Sequence, residues 1–195
     1  MSDIRERLLE ATFHEIHEYG YHAASLSRIL KKAEAKKGSM YHYFSSKKEM
    51  ALVMIEEKLK ARSEKYWLSL STCKKDYLAF LISMLQDTKK HDFTKGCPLG
   101  NLLQQCSSGD EDFLCLLKEA LSNMQKLFEG ILQKACDAKE ISNIDVKSTA
   151  LFIISSLQGA LLLSKQSASS YEFDICMQQV EVYLLNLAPA SKKQC

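Results

Sequence analysis

The sequence predicts an all-α protein: an N-terminal three-helix helix-turn-helix head joined to a C-terminal helical bundle. Three observations predict it. Only two prolines and seven glycines punctuate 195 residues, few breakers for a chain of this length. Apolar residues recur at three- and four-residue spacing in segment after segment, which is the helical period. Finally, Arg28, Lys31, Lys32, Lys36, Lys37, Lys47 and Lys48 are opposed in their stretch only by Glu34 and Glu49. The whole chain carries a formal net charge of only +2, so this local excess implies contact with nucleic acid through one face.

In order, Asp3 and Glu6 can box the start of a first helix with Leu8, Leu9, Thr12, Phe13 and Ile16 as its stripe and Gly20 as its end. Leu26, Ile29, Leu30 and Ala33 form a second, capped by Ser25 or Ser27. A third, from about Lys36 to Tyr43, directs Met40 and Phe44 inward and leaves Lys37, Ser39, Tyr41 and His42 outside, a shape that enters a major groove. Gly38 costs that helix about 1 kcal/mol. Two reasons are open: room for a phosphate or base edge, or close packing of the two helices. Ser46 and Glu49 then fit a capping box, so a long helix begins near Lys47 with N–H groups and a lysine suited to a phosphate.

Beyond it, Leu52, Ile55 and Leu59 mixed with Glu56, Glu57, Lys58 and Lys60 read as a half-exposed connecting helix, with Trp67 to Lys75 as the loop after it. Leu78, Phe80, Leu81, Met84 and Leu85 make another apolar face. Pro98 suits the first turn of a helix that reaches about Cys106. Asp110 opens the longest segment, with Phe113, Leu117, Ala120, Leu121, Met124, Phe128, Ile131 and Ala135 on one side. Asp145 caps the next helix, and Ser169 and Glu172 box the last. These last two are apolar on more than one side, and Ser156, Gly159 and Ala160 permit close approach, so they call for a partner copy.

The apolar run from Ala150 to Leu163 is interrupted by Ser155, Ser156, Gln158 and Gly159 and reads as too short for a bilayer. With no signal peptide apparent, the expectation is a soluble, cytoplasmic protein without a membrane partner. Seven cysteines, an odd number, favour thiols over a disulfide framework. Cys97, Cys106 and Cys115 match no zinc spacing, and the His14 to His17 interval does not match the metal-binding HExxH, so no metal or cofactor is expected. Buried thiols are expected at Cys106, Cys115, Cys136 and Cys176. No nucleophile elbow or phosphate-binding glycine loop appears, which argues against an enzyme. A helical protein-interaction adaptor is the alternative reading.

Lys37-Gly38-Ser39-Met40-Tyr41-His42-Tyr43-Phe44 followed by Ser46-Lys47 resembles the helix-turn-helix signature of the TetR/AcrR family of transcriptional regulators. Two departures stand out: Glu34 where many members place glycine in the interhelical turn, and Lys48 where many carry an acid. The resemblance implies a repressor that binds a double-stranded, pseudo-palindromic operator as a homodimer and leaves it on binding a small-molecule effector or electrophile. It implies DNA contacts from Ser27, Lys36, Lys37, Gly38, Ser39, Tyr41, His42 and Lys47. The expected division is a DNA-binding domain over 1–48, an effector-binding and dimerisation domain over 49–188, and a tail over 189–195. Phe80, Met84, Cys97, Leu102, Leu117, Leu121, Met124 and Leu157 are expected around an apolar effector pocket. Gly96-Cys97-Pro98-Leu99-Gly100-Asn101-Leu102 resembles the corresponding stretch of thiol-dependent, electrophile-responsive members. That likeness makes Cys97 the candidate redox sensor, with Lys165 matching a lysine near it.

Overall fold

The computed structural model describes residues 3–106 and 109–189, and every regular element among them is helical. The helices are α1 (Ile4–Ala23), α2 (Leu26–Lys32), α3 (Lys37–Tyr43), α4 (Lys47–Met54), α5 (Lys60–Thr72), α6 (Tyr77–Leu85), α7 (Pro98–Cys106), α8 (Glu111–Asp137), α9 (Val146–Ser167) and α10 (Tyr171–Asn186). A π turn, Ile55–Leu59, carries α4 into α5, and a 3₁₀ turn, Thr88–Lys90, follows α6.

The chain forms two compact units. One holds the residues up to Glu64 together with Pro98–Leu121; the other holds Lys65–Cys97 and the residues from Ser122 onward. The boundary at residue 48 read from the sequence is therefore not where the units divide. Of the tail expected over 189–195, all but Pro189 lies outside the described residues.

In the first unit, α1 is the central element, burying Leu8, Leu9, Phe13 and Ile16 against helices of the head. Its outer flank is tied to the connecting helix by a ladder of ion pairs. Arg5 meets Glu57 at 2.8 and 2.5 Å, and Glu6 pairs with Lys58 and Glu10 with Arg62. The mixed charges on the connecting helix thus face α1, and each exposed pair contributes at most about 1 kcal/mol. Glu34 adopts φ 50° at the end of α2, where Ala35 N–H bonds Leu30 O at 3.0 Å and Glu34 N–H bonds Lys31 O at 3.2 Å. This is a Schellman stop with a glutamate in the left-handed position that glycine prefers, so the sequence departure leaves the turn geometry in place.

In the second unit, α9 and α10 lie against each other, burying Ile153, Ile154, Leu157, Ala160 and Leu161 of one and Phe173, Met177, Val180 and Leu184 of the other. The Ser164 hydroxyl oxygen accepts from Phe173 N–H at 3.1 Å. Asp145 caps α9 as expected, accepting from Ser148 N–H at 2.8 Å. For α10 the cap residue is Ser170, and Glu172 instead accepts from the Ser167 hydroxyl at 2.6 Å. Helix α5 continues through Trp67 and Leu70, both buried, so the loop expected over Trp67 to Lys75 is confined to its end. Trp67 packs on Phe128 and forms one flank of an aromatic cluster. In that cluster Tyr66 Oη lies 3.2 Å from His91 Nε2, and Phe173 packs on both His91 and Phe93. Burial pulls the His91 pKa down to about 4.

Helix α9 is 22 residues long and apolar enough to cross a membrane by length and composition alone. This corrects the sequence reading, which saw only the interrupted run within it. Its outward side carries Leu151, Phe152, Leu162 and Leu163, and α10 adds Ile175, Val182 and Tyr183, all exposed. A Cβ placed on Gly159 would meet nothing within 4 Å, so this glycine also lies on open surface.

Candidate nucleic-acid interface

The helix-turn-helix is fastened from beneath by one buried carboxylate. Glu15 is 4% exposed, and its Oε1 accepts from Ser25 N–H at 2.9 Å and from Arg28 Nε at 2.6 Å. Arg28 also donates to Ala23 O at 2.9 Å and lies over the Tyr19 ring. The first residues of α2 are thereby fixed to the end of α1. Sequence reasoning missed Glu15, since a glutamate among the polar residues of an amphipathic helix gives no sign that it is buried.

Helix α3 is anchored by Met40, which is fully buried, and by Phe44, 2% exposed, just beyond its end. Lys36, Lys37, Gly38, Tyr41 and His42 are exposed and Ser39 is half-buried, so the expected residues share an outward face. Lys37 Nζ stands 5.8 Å from the Tyr41 ring centre. Ser27 is exposed at the start of α2, with its hydroxyl 2.7 Å from that of Ser25. A Cβ on Gly38 would have nothing within 4 Å. Packing between the two helices therefore gives no reason for glycine here, and of the two readings only room for an outside molecule remains.

The two lysines that open α4 are differently placed. Lys47 donates to Tyr21 O and Ala24 O, each at 3.0 Å, and lies over the Tyr21 ring. Lys48 pairs with Asp110 and Asp112 at 2.9 and 2.6 Å. Those hydrogen bonds raise the Lys48 pKa and hold Asp110 below the usual carboxylate range. Ser46 caps α4 by accepting from Glu49 N–H at 3.0 Å. The Glu49 carboxylate reaches Ser45 rather than Ser46, taking its N–H at 2.6 Å.

Of the residues expected around an effector, Leu102, Leu117 and Leu121 belong to the first unit, and Phe80, Met84, Cys97, Met124 and Leu157 to the second. Met84, Leu102, Leu117, Met124 and Leu157 are buried; Phe80, Leu121 and Cys97 are half-buried. Gln158 donates to Cys97 Sγ at 3.3 Å. The backbone at the neighbouring Gly96 has φ 71°, and a Cβ there would stand 3.0 Å from Lys165 Cδ. Cys97 and Lys165 are thus brought to one locality within the second unit. Among the thiols expected to be buried, Cys106 is, Cys136 and Cys176 are half-buried, and Cys115 is exposed. Burial pushes the Cys106 thiol up.

Residues 8–54 match the family model described as bacterial regulatory proteins of the tetR family, and residues 77–180 match the tetracyclin repressor-like C-terminal domain. A helix-turn-helix transcriptional regulator encoded in the lacX 3′ region of Lactococcus lactis is 32% identical over 169 residues, covering 85% of each chain. The transcriptional repressor NemR of Escherichia coli is 29% identical over 136 residues, covering 62% of this chain and 68% of its own. The crystal structure of reduced E. coli NemR superposes with a TM-score of 0.83 at 24% identity, over 96% of this chain and all of that one (100%). Head and body match the two halves of one family, with the outward-facing α3 inside the matched helix-turn-helix. The chain belongs to the TetR family of DNA-binding transcriptional regulators.

Proposed function

We propose that the protein is a cytoplasmic repressor that holds a pseudo-palindromic DNA operator as a homodimer and releases it on a small-molecule or electrophile signal. The observation that carries the DNA-reading part is the outer face of α3. There Lys36, Lys37, Tyr41 and His42 are exposed around a glycine whose missing side chain leaves open space. Ser27 and Ser39 complete this face with hydroxyls that can donate to phosphate.

The apolar outward side of α9 and α10 supports the homodimer. A second copy would cover Leu151, Phe152, Leu162, Leu163, Ile175 and Val182 and place two heads on two half-sites. A bilayer could cover the same residues. Sedimentation of the protein without detergent separates the two: a dimer at micromolar concentration supports this reading, and recovery only with membranes overturns it.

For the signal, the reading rests on Cys97 beside Gln158, with the apolar Phe80, Met84, Met124 and Leu157 in the same unit. Parent protein would be used to select duplexes from a random pool. Release of the selected duplex would then be followed against N-ethylmaleimide dose for the parent and Cys97→Ser, with mass spectrometry of each thiol. Release lost in Cys97→Ser supports the thiol route. Equal release from both proteins transfers the signal to a reversible apolar effector.

A further inference from the structure

Four groups of the first unit converge on the last turn of α1. Gly20 leaves the helical conformation with φ 79° and ψ 164°, a backbone state that L side chains rarely adopt. Tyr21 N–H, freed from the helix by that departure, donates to Gln105 Oε1 at 2.8 Å. His22 Nε2 donates to Gln105 O at 3.2 Å. The amide of Gln105 lies directly on Gly20, where a Cβ would stand 2.8 Å from Gln105 Cδ and closer still to its oxygen and nitrogen. On the other side of the turn, Tyr21 O and Ala24 O hold the Lys47 ammonium, and the Tyr21 ring packs on Phe113 at 4.7 Å.

We propose that Gln105 is a positioning residue through which α7 governs the recognition helix. It fixes the left-handed turn at Gly20, whose carbonyls in turn hold Lys47 at the start of α4, immediately after α3. The proposal rests on the DNA-reading function above and names how that site is regulated. Three consequences follow from the geometry. A shift of α7 moves the acceptor for Tyr21 N–H, and an orphaned amide in a half-buried site destabilises the turn. The turn in turn aims the two carbonyls that fix Lys47, so the entry to α4 loosens with it. Lys47 therefore acts from inside the head, with two of its three N–H groups already committed, whereas the ammonium groups of Lys36 and Lys37 face solvent. Because α7 follows directly on Cys97, a change at that thiol acts on the helix that carries Gln105.

Amide hydrogen exchange read on peptides tests this without DNA. In Gln105→Ala, exchange over 20–25 should accelerate at least tenfold and over 37–48 at least threefold, with α10 unchanged as a control for global unfolding. Gln105→Glu keeps an acceptor for Tyr21 N–H and should stay close to the parent. If Gln105→Ala does not fold, Lys47→Met approaches the same joint from the other side and should accelerate 20–25 while leaving α7 protected. Acceleration confined to 20–25, with 37–48 unchanged in Gln105→Ala, overturns the proposal, as does an unaltered 20–25. A second measurement uses a duplex selected by the parent: Gln105→Ala should bind it at least tenfold more weakly and Gln105→Glu within threefold. A parent that selects no duplex would count against the DNA-reading function alone, because the exchange result stands independently of it.

Discussion

The outward face of α3 and the outward side of α9 and α10 are both exposed, but they are made of opposite materials. The first presents Lys36, Lys37, Tyr41 and His42 around an open glycine; the second presents Leu151, Phe152, Leu162, Leu163, Ile175 and Val182. A charged face attracts a polyanion and loses affinity as salt rises. An apolar face is costly to leave in water at about 25 cal/mol per Å² and is indifferent to salt. The contrast teaches that exposure marks function in both places, and that salt and protein concentration are the two controls that separate them.

The largest expected effect breaks the apolar face. Leu162→Asp should give a folded monomer in sedimentation and lower operator affinity at least 100-fold, because two heads no longer bind together. The neighbouring Leu161 and Leu184, chosen from helical spacing alone, are wrong positions for this test. They are 3% and 0% exposed, so Leu184→Ala should cost about 2–5 kcal/mol of folding stability, read in chemical denaturation.

Acid separates failure of either face from failure of the core beneath. His91 is held down to about 4 by burial, against an ordinary value of 6.5. The native state therefore binds fewer protons than the unfolded chain between those values, and stability present above pH 6.5 is lost as pH falls towards 4. The expected loss is of order 2–3 kcal/mol, seen as a falling melting temperature, and His91→Phe should flatten that part of the profile.

Next come the lysines. Lys36→Ala and Lys37→Ala should each reduce the slope of log affinity against log salt by about one unit if each neutralises one phosphate, with the dimer unaffected. Lys47→Met should lower affinity with the slope unchanged, because its ammonium is held by two backbone carbonyls. A full unit lost in Lys47→Met would return it to the phosphate contacts that the family resemblance implies.

Most of this was legible in the sequence where the physics is local. The helical period located the elements, and the caps at Asp145 and Ser46 followed from side chains a few residues from the amides they serve. What was not legible depends on partners distant in sequence. Glu140 accepts from Tyr77 N–H and Leu78 N–H at 3.2 and 2.7 Å, capping α6 from more than sixty residues away. Glu15, Gln105 and the carbonyls that occupy Lys47 are of the same kind. Charge counting found the basic cluster but could not tell Lys36 and Lys37, which are exposed, from Lys47 and Lys48, which are engaged within the fold.

The smallest effects come from a matched pair of substitutions. Gly38 sits in a helix where any side chain fits, and Glu34 sits at φ 50° where glycine is preferred. Gly38→Ala and Glu34→Gly should each stabilise the fold by up to about 1 kcal/mol. Only Gly38→Ala should weaken DNA binding, since its new methyl enters the open space on α3. Equal DNA affinity in both variants would remove Gly38 from the interface.

The π turn at Ile55–Leu59, closed by Lys60 N–H to Ile55 O, makes the connecting helix a keyed shaft. It holds one residue more than a regular helix would fit into the same turn. Deleting any single residue there would leave a good helix but advance everything after it by about 100° of rotation. Trp67 and Leu70 would then leave the side on which they are buried, while Met50 and Met54 would stay on theirs. The length of this helix is therefore a phase, and gene variants should tolerate inserted or deleted codons in the turns around Cys73 or Asp92 far better than anywhere between Lys47 and Thr72.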